Sequence, residues 1–349
     1  MLRPVLLALE AVERGAAWLL LHRGSQVHVH PFSGLGAGER VQLGGRVLHG
    51  APVRPGDARV RSSRWAVVRA NLLPFLSVEV PGADVCVTLG ARSEMVQADH
   101  EGYVQTLLEG VPLPPGRHVV TLTPVRPAGA PAHGTVHVPD PTADLAVVSD
   151  VDDTIVDSGI AHGLLAILRT MLLQEQSTRV PLTGAPELYR ALAGSPAGTG
   201  DRPFFYLSTS PWNLVGFLQG FLQRHGFPDG PLLLTDWGPG ADGLLRVTTR
   251  THKLVALRRL AQDLPQARFL LIGDSGQLDP AIYAEFSREH PGRVAAIYIR
   301  RARAAGPTAD ERTAAAVRLL DGTGVPLVLA ADSASMLQHA RDHGLIAPA

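Results

Sequence analysis

The chain has 349 residues, 45% of them apolar, and its acidic and basic residues balance to a formal charge of +0. That length exceeds a typical single domain and supplies a substantial core, while the lack of net positive charge argues against broad electrostatic binding of nucleic acid. Cys86 is the only cysteine, which excludes an internal disulfide and is compatible with a reducing cytoplasm.

Leu2 to Leu21 reads as an amphipathic helix, with Val5, Leu6, Leu9, Val12 and Ala16 at helical spacing. Such a face suits core packing or contact with a membrane surface. Glu10, Glu13 and Arg14 deprive the segment of a signal peptide's shape. No stretch reaches the ~18 apolar residues needed to span a bilayer. The expected location is therefore the cytoplasm, with peripheral membrane contact left open by the helix.

Short alternating runs follow at Gln26 to His30, Val41 to Leu48, Leu76 to Val80, Val85 to Leu89, Tyr103 to Leu108 and His118 to Leu122. Turn residues separate them, which predicts a small β-sandwich-like domain. His28 and His30 alternate onto one face near His22, as a solvent-facing strand or a metal site would place them. No zinc-type spacing of cysteine and histidine occurs among the 14 histidines. The stretch from Arg126 to His133, rich in Pro, Ala and Gly, reads as a linker. The expected division is thus an N-terminal helix plus β-rich accessory domain over 1–140 and a second domain over 141–349.

From Leu145 onward strands and helices alternate, as an α/β architecture with a parallel, doubly wound sheet requires. Later strands are predicted at Pro231 to Thr235, Phe269 to Ile272, Val294 to Ile299 and Pro326 to Leu329. The first strand, Leu145 to Val148, delivers Asp150 and Asp152 to its carboxyl end, where ligands bind in such sheets. Alternate residues point the same way, so both carboxylates can serve one pocket as nucleophile and general acid/base. An ordinary Asp-rich turn would use the same residues.

Three later pieces bear on that choice. Phe204 to Leu207 is an apolar strand ending in Ser208, Thr209 and Ser210, with Pro211 opening a helical segment. Ser208 would offer a hydroxyl and nearby amides to an anion, although serine also caps helices. Lys253 is the only lysine; every other basic residue is arginine. An isolated lysine in so biased a chain points to a site wanting a compact ammonium. It stands where polar residues give way to Leu254, Leu257 and Leu260, against the dipole preference of a helix start, which a bound phosphate would rebalance. Phe269 to Ile272 then leads into Asp274, with Asp279 five residues on. Carboxylates of this kind suit Mg²⁺.

These pieces, in this order, resemble the phosphatases of the haloacid dehalogenase superfamily, whose pattern runs Asp-x-Asp-x-Thr, strand plus Ser/Thr, Lys, then Gly-Asp-x-x-x-x-Asp. Here Asp150, Asp152 and Thr154, Ser208, Lys253, and Asp274 with Asp279 match it. More narrowly, Asp150 to Ile155, Ser208 to Leu214, His252-Lys253 and Gly273 to Pro280 are similar to the actin-patch-associated phosphatidate phosphatase family. Pro181 to Gly184 running into Glu187-Leu188-Tyr189, and Gly45 to Leu48, share in the likeness. The resemblance implies a haloacid-dehalogenase-like, Rossmann-like catalytic domain over 141–349. It also implies Mg²⁺-dependent hydrolysis of phosphatidate to diacylglycerol. Asp150 would be the nucleophile that forms an aspartyl-phosphate, and Asp152 the acid that protonates the leaving oxygen.

Ser208 would fix the phosphoryl group and Lys253 would offset its charge. Asp150, the main-chain oxygen of Asp152 and Asp274 would hold the metal, with Asp279 acting directly or through water while orienting Lys253. Fungal members carry long extra segments that recruit actin-patch partners; with no counterpart after Ala349, no actin role is expected. Two other functions remain: a phosphatase of soluble esters or phosphoproteins, and a non-catalytic binding module. The apolar stretch Gly163 to Leu173 reads as a cover for acyl chains or as a buried helix. Arg300, Arg301 and Arg303 read as a head-group contact or as a solvated strand end.

Overall fold

The computed structural model describes residues 26–50, 78–151, 154–155, 181–196, 201–235, 249–302 and 306–347. The expected helix over 2–21, His22, Asp152, the 163–173 stretch and Arg303 lie outside the described residues. Two compact units divide the chain, Met1–Val138 and Pro139–Ala349. Among the described residues, no helix is long and apolar enough to cross a membrane.

The first unit is antiparallel for the most part. Its strands are β1 (Val27–Pro31), β2 (Gly34–Ala37), β3 (Arg40–His49), β4 (Val78–Glu79), β5 (Asp84–Leu89), β6 (Arg92–Gln97), β7 (Tyr103–Leu108), β8 (Gly116–Arg126), β9 (Gly129–Ala130) and β10 (Ala132–Val138). They hydrogen-bond along the path β6-β5-β8-β10-β2-β3-β1-β9, with β4 and β7 also on β3. Burial alternates along β3 and β5, as one buried face requires. Val29, Val41, Leu43, Val47, Val85, Val87, Val104 and Leu122 share one core.

Two expectations fail here. Residues 126–133 are no linker: they close the β8–β10 hairpin through β9, and Ala132 to Val138 pairs back on Leu122 to Gly116. Turn-forming composition fits a hairpin bend as well as a linker, and only the pairing tells them apart. Nor do His28 and His30 face solvent. His28 is buried with its Nδ1 2.8 Å from the Gly50 oxygen, and the Nε2 of His30 is buried without a hydrogen-bond partner.

The second unit is built on a six-stranded sheet of order β13-β12-β11-β14-β15-β16, parallel throughout. These strands are β11 (Leu145–Asp150), β12 (Phe204–Pro211), β13 (Leu232–Thr235), β14 (Arg268–Asp274), β15 (Val294–Arg300) and β16 (Leu327–Ala330). Every residue of β11 is buried, as are all of β14 after Arg268 and all of β15 before Arg300. Strands covered on both faces read as continuous apolar runs, which is why they were legible. Between them run α1 (Ala185–Ala193), α2 (Val215–Arg224), α3 (Thr249–Asp263), α4 (Asp279–Glu289) and α5 (Pro307–Leu320), and α6 (Ser333–Asp342) follows β16. Proline in the first turn starts α1, α4 and α5. Asp332 caps α6 by accepting the Ser335 amide at 2.9 Å. Pro211 departs from expectation, ending β12 rather than opening a helix; a 3-10 turn over Trp212–Leu214 intervenes before α2.

Burial, with His28's charge beside it, lowers the pKa of His30 from 6.5 to about 4. The unfolded chain therefore takes up this proton before the folded one does. Its stabilising share is present above pH 6.5 and is lost as pH falls toward 4. His30→Phe is expected to lose less thermal stability than wild type between pH 7 and 4. Equal acid slopes in the two melting series would contradict this.

Candidate active site

The strand order reverses at β11: β12 and β13 lie on one side, β14 to β16 on the other. A parallel sheet leaves a crevice at such a reversal, outside the carboxyl ends of the strands. Asp150 ends β11 and Asp274 ends β14, so two carboxylates flank that crevice. Ser208 lies one residue beyond Leu207, the register partner of Asp150 on β12. Lys253 comes from the second turn of α3, and Asp279 opens α4. Asp150, Ser208, Lys253, Asp274 and Asp279 are all fully buried.

Lys253 joins the parts. Its Nζ donates to Asp150 Oδ1 at 2.7 Å and also to Asp279 Oδ1. Burial alone would lower the pKa of this ammonium, but the carboxylates of Asp150 and Asp279 outweigh that and hold it above its ordinary value. The expected phosphate is thus not needed to balance a lysine near a helix start, since two carboxylates already do so. The Asp279 role in orienting Lys253 has a direct geometric counterpart. Thr154 Oγ1 donates to the other Asp150 oxygen at 3.2 Å.

Asp274 is held by the loop that follows it, its Oδ1 accepting the amides of Gly276 at 2.6 Å and Gln277 at 3.0 Å. Asp279 Oδ2 reaches back to accept the Asp274 amide at 3.2 Å. That reach depends on Gly273, where a Cβ would stand 2.5 Å from Asp279 Oδ2 and 2.7 Å from its Cβ. Ser208 Oγ accepts the Ser210 amide at 2.9 Å, so that amide is turned onto the serine. On the outer face, Arg250 grips both oxygens of Glu285 at 2.5 and 2.6 Å, and Arg258 grips Glu289 at 2.8 and 2.6 Å. The two forks bracket Lys253 along α3 and fix its register on α4. Exposed pairs of this kind add little stability.

Among the described residues, Asp150, Asp274 and Asp279 form the group whose ligand oxygens lie within 4.8 Å of one another. Among the described residues, Lys253 pairs with two of these three buried carboxylates, and buried charge is costly unless it is compensated. An all-oxygen, electron-rich set therefore fits a hard divalent cation. No histidine joins this group, and Asp152 is not among the described residues. Arg301, suggested as a head-group contact, pairs with Asp310 at 3.1 Å, while Arg300 donates to Ser333 Oγ at 3.3 Å.

One contact was not anticipated: Ser149 Oγ lies 2.5 Å from the Tyr189 hydroxyl. A serine directly after the apolar run Leu145–Val148, still within the buried strand, was the available signal, because a buried hydroxyl needs a partner.

Residues 145–301 match the family described as the catalytic domain of phosphatidate phosphatase APP1. The chain is 25% identical over 244 residues to Phosphatidate phosphatase APP1 of Saccharomyces cerevisiae, covering 67% of this chain and 40% of the yeast protein. It is 26% identical over 156 residues to an uncharacterized protein of Schizosaccharomyces pombe, covering 45% of this chain and 25% of that one. The chain thus spans well under two thirds of either relative's length. Among solved structures, a carbohydrate acetylesterase from Xanthomonas citri is 9% identical with a TM-score of 0.29, over 84% of this chain and 65% of that one. So slight a likeness carries no argument.

Gly273→Ala is expected to destabilise the protein by about 1–3 kcal/mol through overpacking against Asp279. Gly220→Ala, where a Cβ meets open space on α2, should instead stabilise by about 0.5–1 kcal/mol. Urea unfolding of both variants measures this, and a neutral Gly273→Ala would contradict the close approach. Over residues 145–301, a little under half of its length, the chain is similar to the phosphatidate phosphatase APP1 catalytic domain.

Proposed function

We propose that the chain is a Mg²⁺-dependent phosphatase that hydrolyses phosphatidate to diacylglycerol and phosphate. The observation that carries this reading is Lys253 Nζ seated between Asp150 and Asp279 at the sheet's reversal. The family match over 145–301 supports the substrate class. The six parallel strands with their reversal at β11 support a haloacid-dehalogenase-like, doubly wound reading of the second unit. Alternating burial along β3 and β5 around one apolar core supports a sandwich-like reading of the first.

In this mechanism an Asp150 carboxylate oxygen attacks phosphorus, and the bond from phosphorus to the glycerol oxygen breaks. Asp152 gives its proton to that departing oxygen and so leaves as a carboxylate. The same carboxylate then takes a proton from water, whose oxygen attacks the phosphorus. The Asp150–phosphorus bond breaks, releasing inorganic phosphate and restoring both acids. Lys253 holds Asp150 Oδ1 and Thr154 holds Oδ2, so the nucleophile is oriented before substrate arrives. Ser208, at the same edge, would bind a phosphoryl oxygen. Asp150, Asp152, Asp274 and Asp279 would hold Mg²⁺, which when bound offsets the charge of phosphate facing carboxylate. A lipid substrate would be met by peripheral contact with its membrane.

Purified full-length protein with Mg²⁺ is expected to release phosphate from phosphatidate in mixed micelles faster than from water-soluble phosphate esters. Asp150→Asn should fall to the background of a mock purification. Preference for the soluble esters would overturn the lipid assignment. No release from any ester would overturn the phosphatase reading and favour a binding module.

A further inference from the structure

Resting on the phosphatase reading of Asp150, we propose that Tyr189 and Ser149 form a positioning relay that orients the nucleophile's own peptide from behind. Ser149 is fully buried in β11, one residue before Asp150. Its hydroxyl donates to the main-chain oxygen of Asp150 at 2.7 Å. That commits its single hydrogen, because a carbonyl can only accept. The 2.5 Å contact with Tyr189 must then run from the phenol to the Ser149 oxygen. The chain is directed: Tyr189 donates to Ser149, and Ser149 donates to Asp150.

Three features make this a positioning device. First, the phenol is held rigidly. Tyr189 is buried on α1, edge-on to Phe227 with ring centroids 5.2 Å apart and tilted on Phe204 at 6.0 Å. Burial pushes its hydroxyl well above the ordinary tyrosine value, so it keeps its hydrogen at every working pH.

Second, the Asp150 carbonyl stands where the chain leaves the sheet. Register with β14 ends at Ser149 opposite Ile272, and register with β12 ends at Asp150 opposite Leu207. Third, the peptide held here leads into the turn closed by the Ile155 amide on the Val151 oxygen at 3.0 Å. That turn carries Thr154, which holds Asp150 Oδ2. Successive strand residues face opposite ways, so Ser149 works from the side away from the carboxylate. Neither residue touches substrate. A parallel contact steadies the neighbouring strand, where buried Tyr283 donates to the Ile272 oxygen at 3.1 Å.

The test uses full-length Tyr189→Phe, Ser149→Ala, the double variant and Ser149→Thr, assayed on phosphatidate micelles with Mg²⁺. Each single loss should lower kcat about threefold to tenfold, the worth of one hydrogen bond, with KM within about twofold. The double variant should be no worse than the poorer single, because the two residues act as one chain. Ser149→Thr, which keeps the hydroxyl, should retain most of kcat. Unchanged kcat with only a lower melting temperature would overturn the relay, as would losses that multiply. If Ser149→Ala does not fold, Tyr189→Phe decides alone, since it removes one oxygen and keeps the ring. An active wild type with unaffected variants removes only the relay, whereas an inactive wild type removes the phosphatase reading and the relay with it.

Discussion

A single buried ammonium ties the site together. Lys253 is fully enclosed and spans Asp150 and Asp279, which come from a strand and a helix 129 positions apart in sequence. Among the described residues, three buried carboxylates gather around this one ammonium. Neutral side chains of similar size would pack there at lower cost. The proposed Mg²⁺ would bring further positive charge to this set. The arrangement also explains the lysine itself. A guanidinium is a planar fork, whereas this gap between two enclosed oxygens suits a compact, tetrahedral donor.

The sheet supplies the convergence. Because its order reverses at β11, the ends of β11 and β14 are neighbours, and Asp150 and Asp274 arrive side by side from stretches far apart in the chain. Gly273 lets Asp279 fold back onto the Asp274 amide, so the two acids of that loop are locked to each other. The forks from Arg250 and Arg258 also join α3 to α4 on either side of Lys253. The proposed chemistry would rely on such surrounding support, because small misplacements cost large factors in rate.

Much of this was legible in the sequence, for identifiable reasons. Strands buried on both faces, such as Phe269 to Ile272, appear as unbroken apolar runs. Acids at their carboxyl ends stand out against that background. Lys253 stood out through the arginine bias around it. Edge and hairpin strands were harder. Arg92 to Gln97 exposes most of its residues and so lacks an apolar pattern, and Ala132 to Val138 was hidden by the turn composition before it. The Tyr189–Ser149 contact joins two elements whose proximity no local pattern encodes.

The most direct measurement of the central claim is a double-mutant cycle on stability between Lys253 and Asp279, by urea unfolding. Lys253→Met alone should cost about 3–5 kcal/mol, because it leaves buried carboxylates without their counter-charge. In an Asp279→Asn background the same change should cost less by about 1 kcal/mol or more, one charge having been removed. Additive costs, or a loss below about 1 kcal/mol for Lys253→Met, would be typical of an exposed pair and would contradict a site organised around this ammonium.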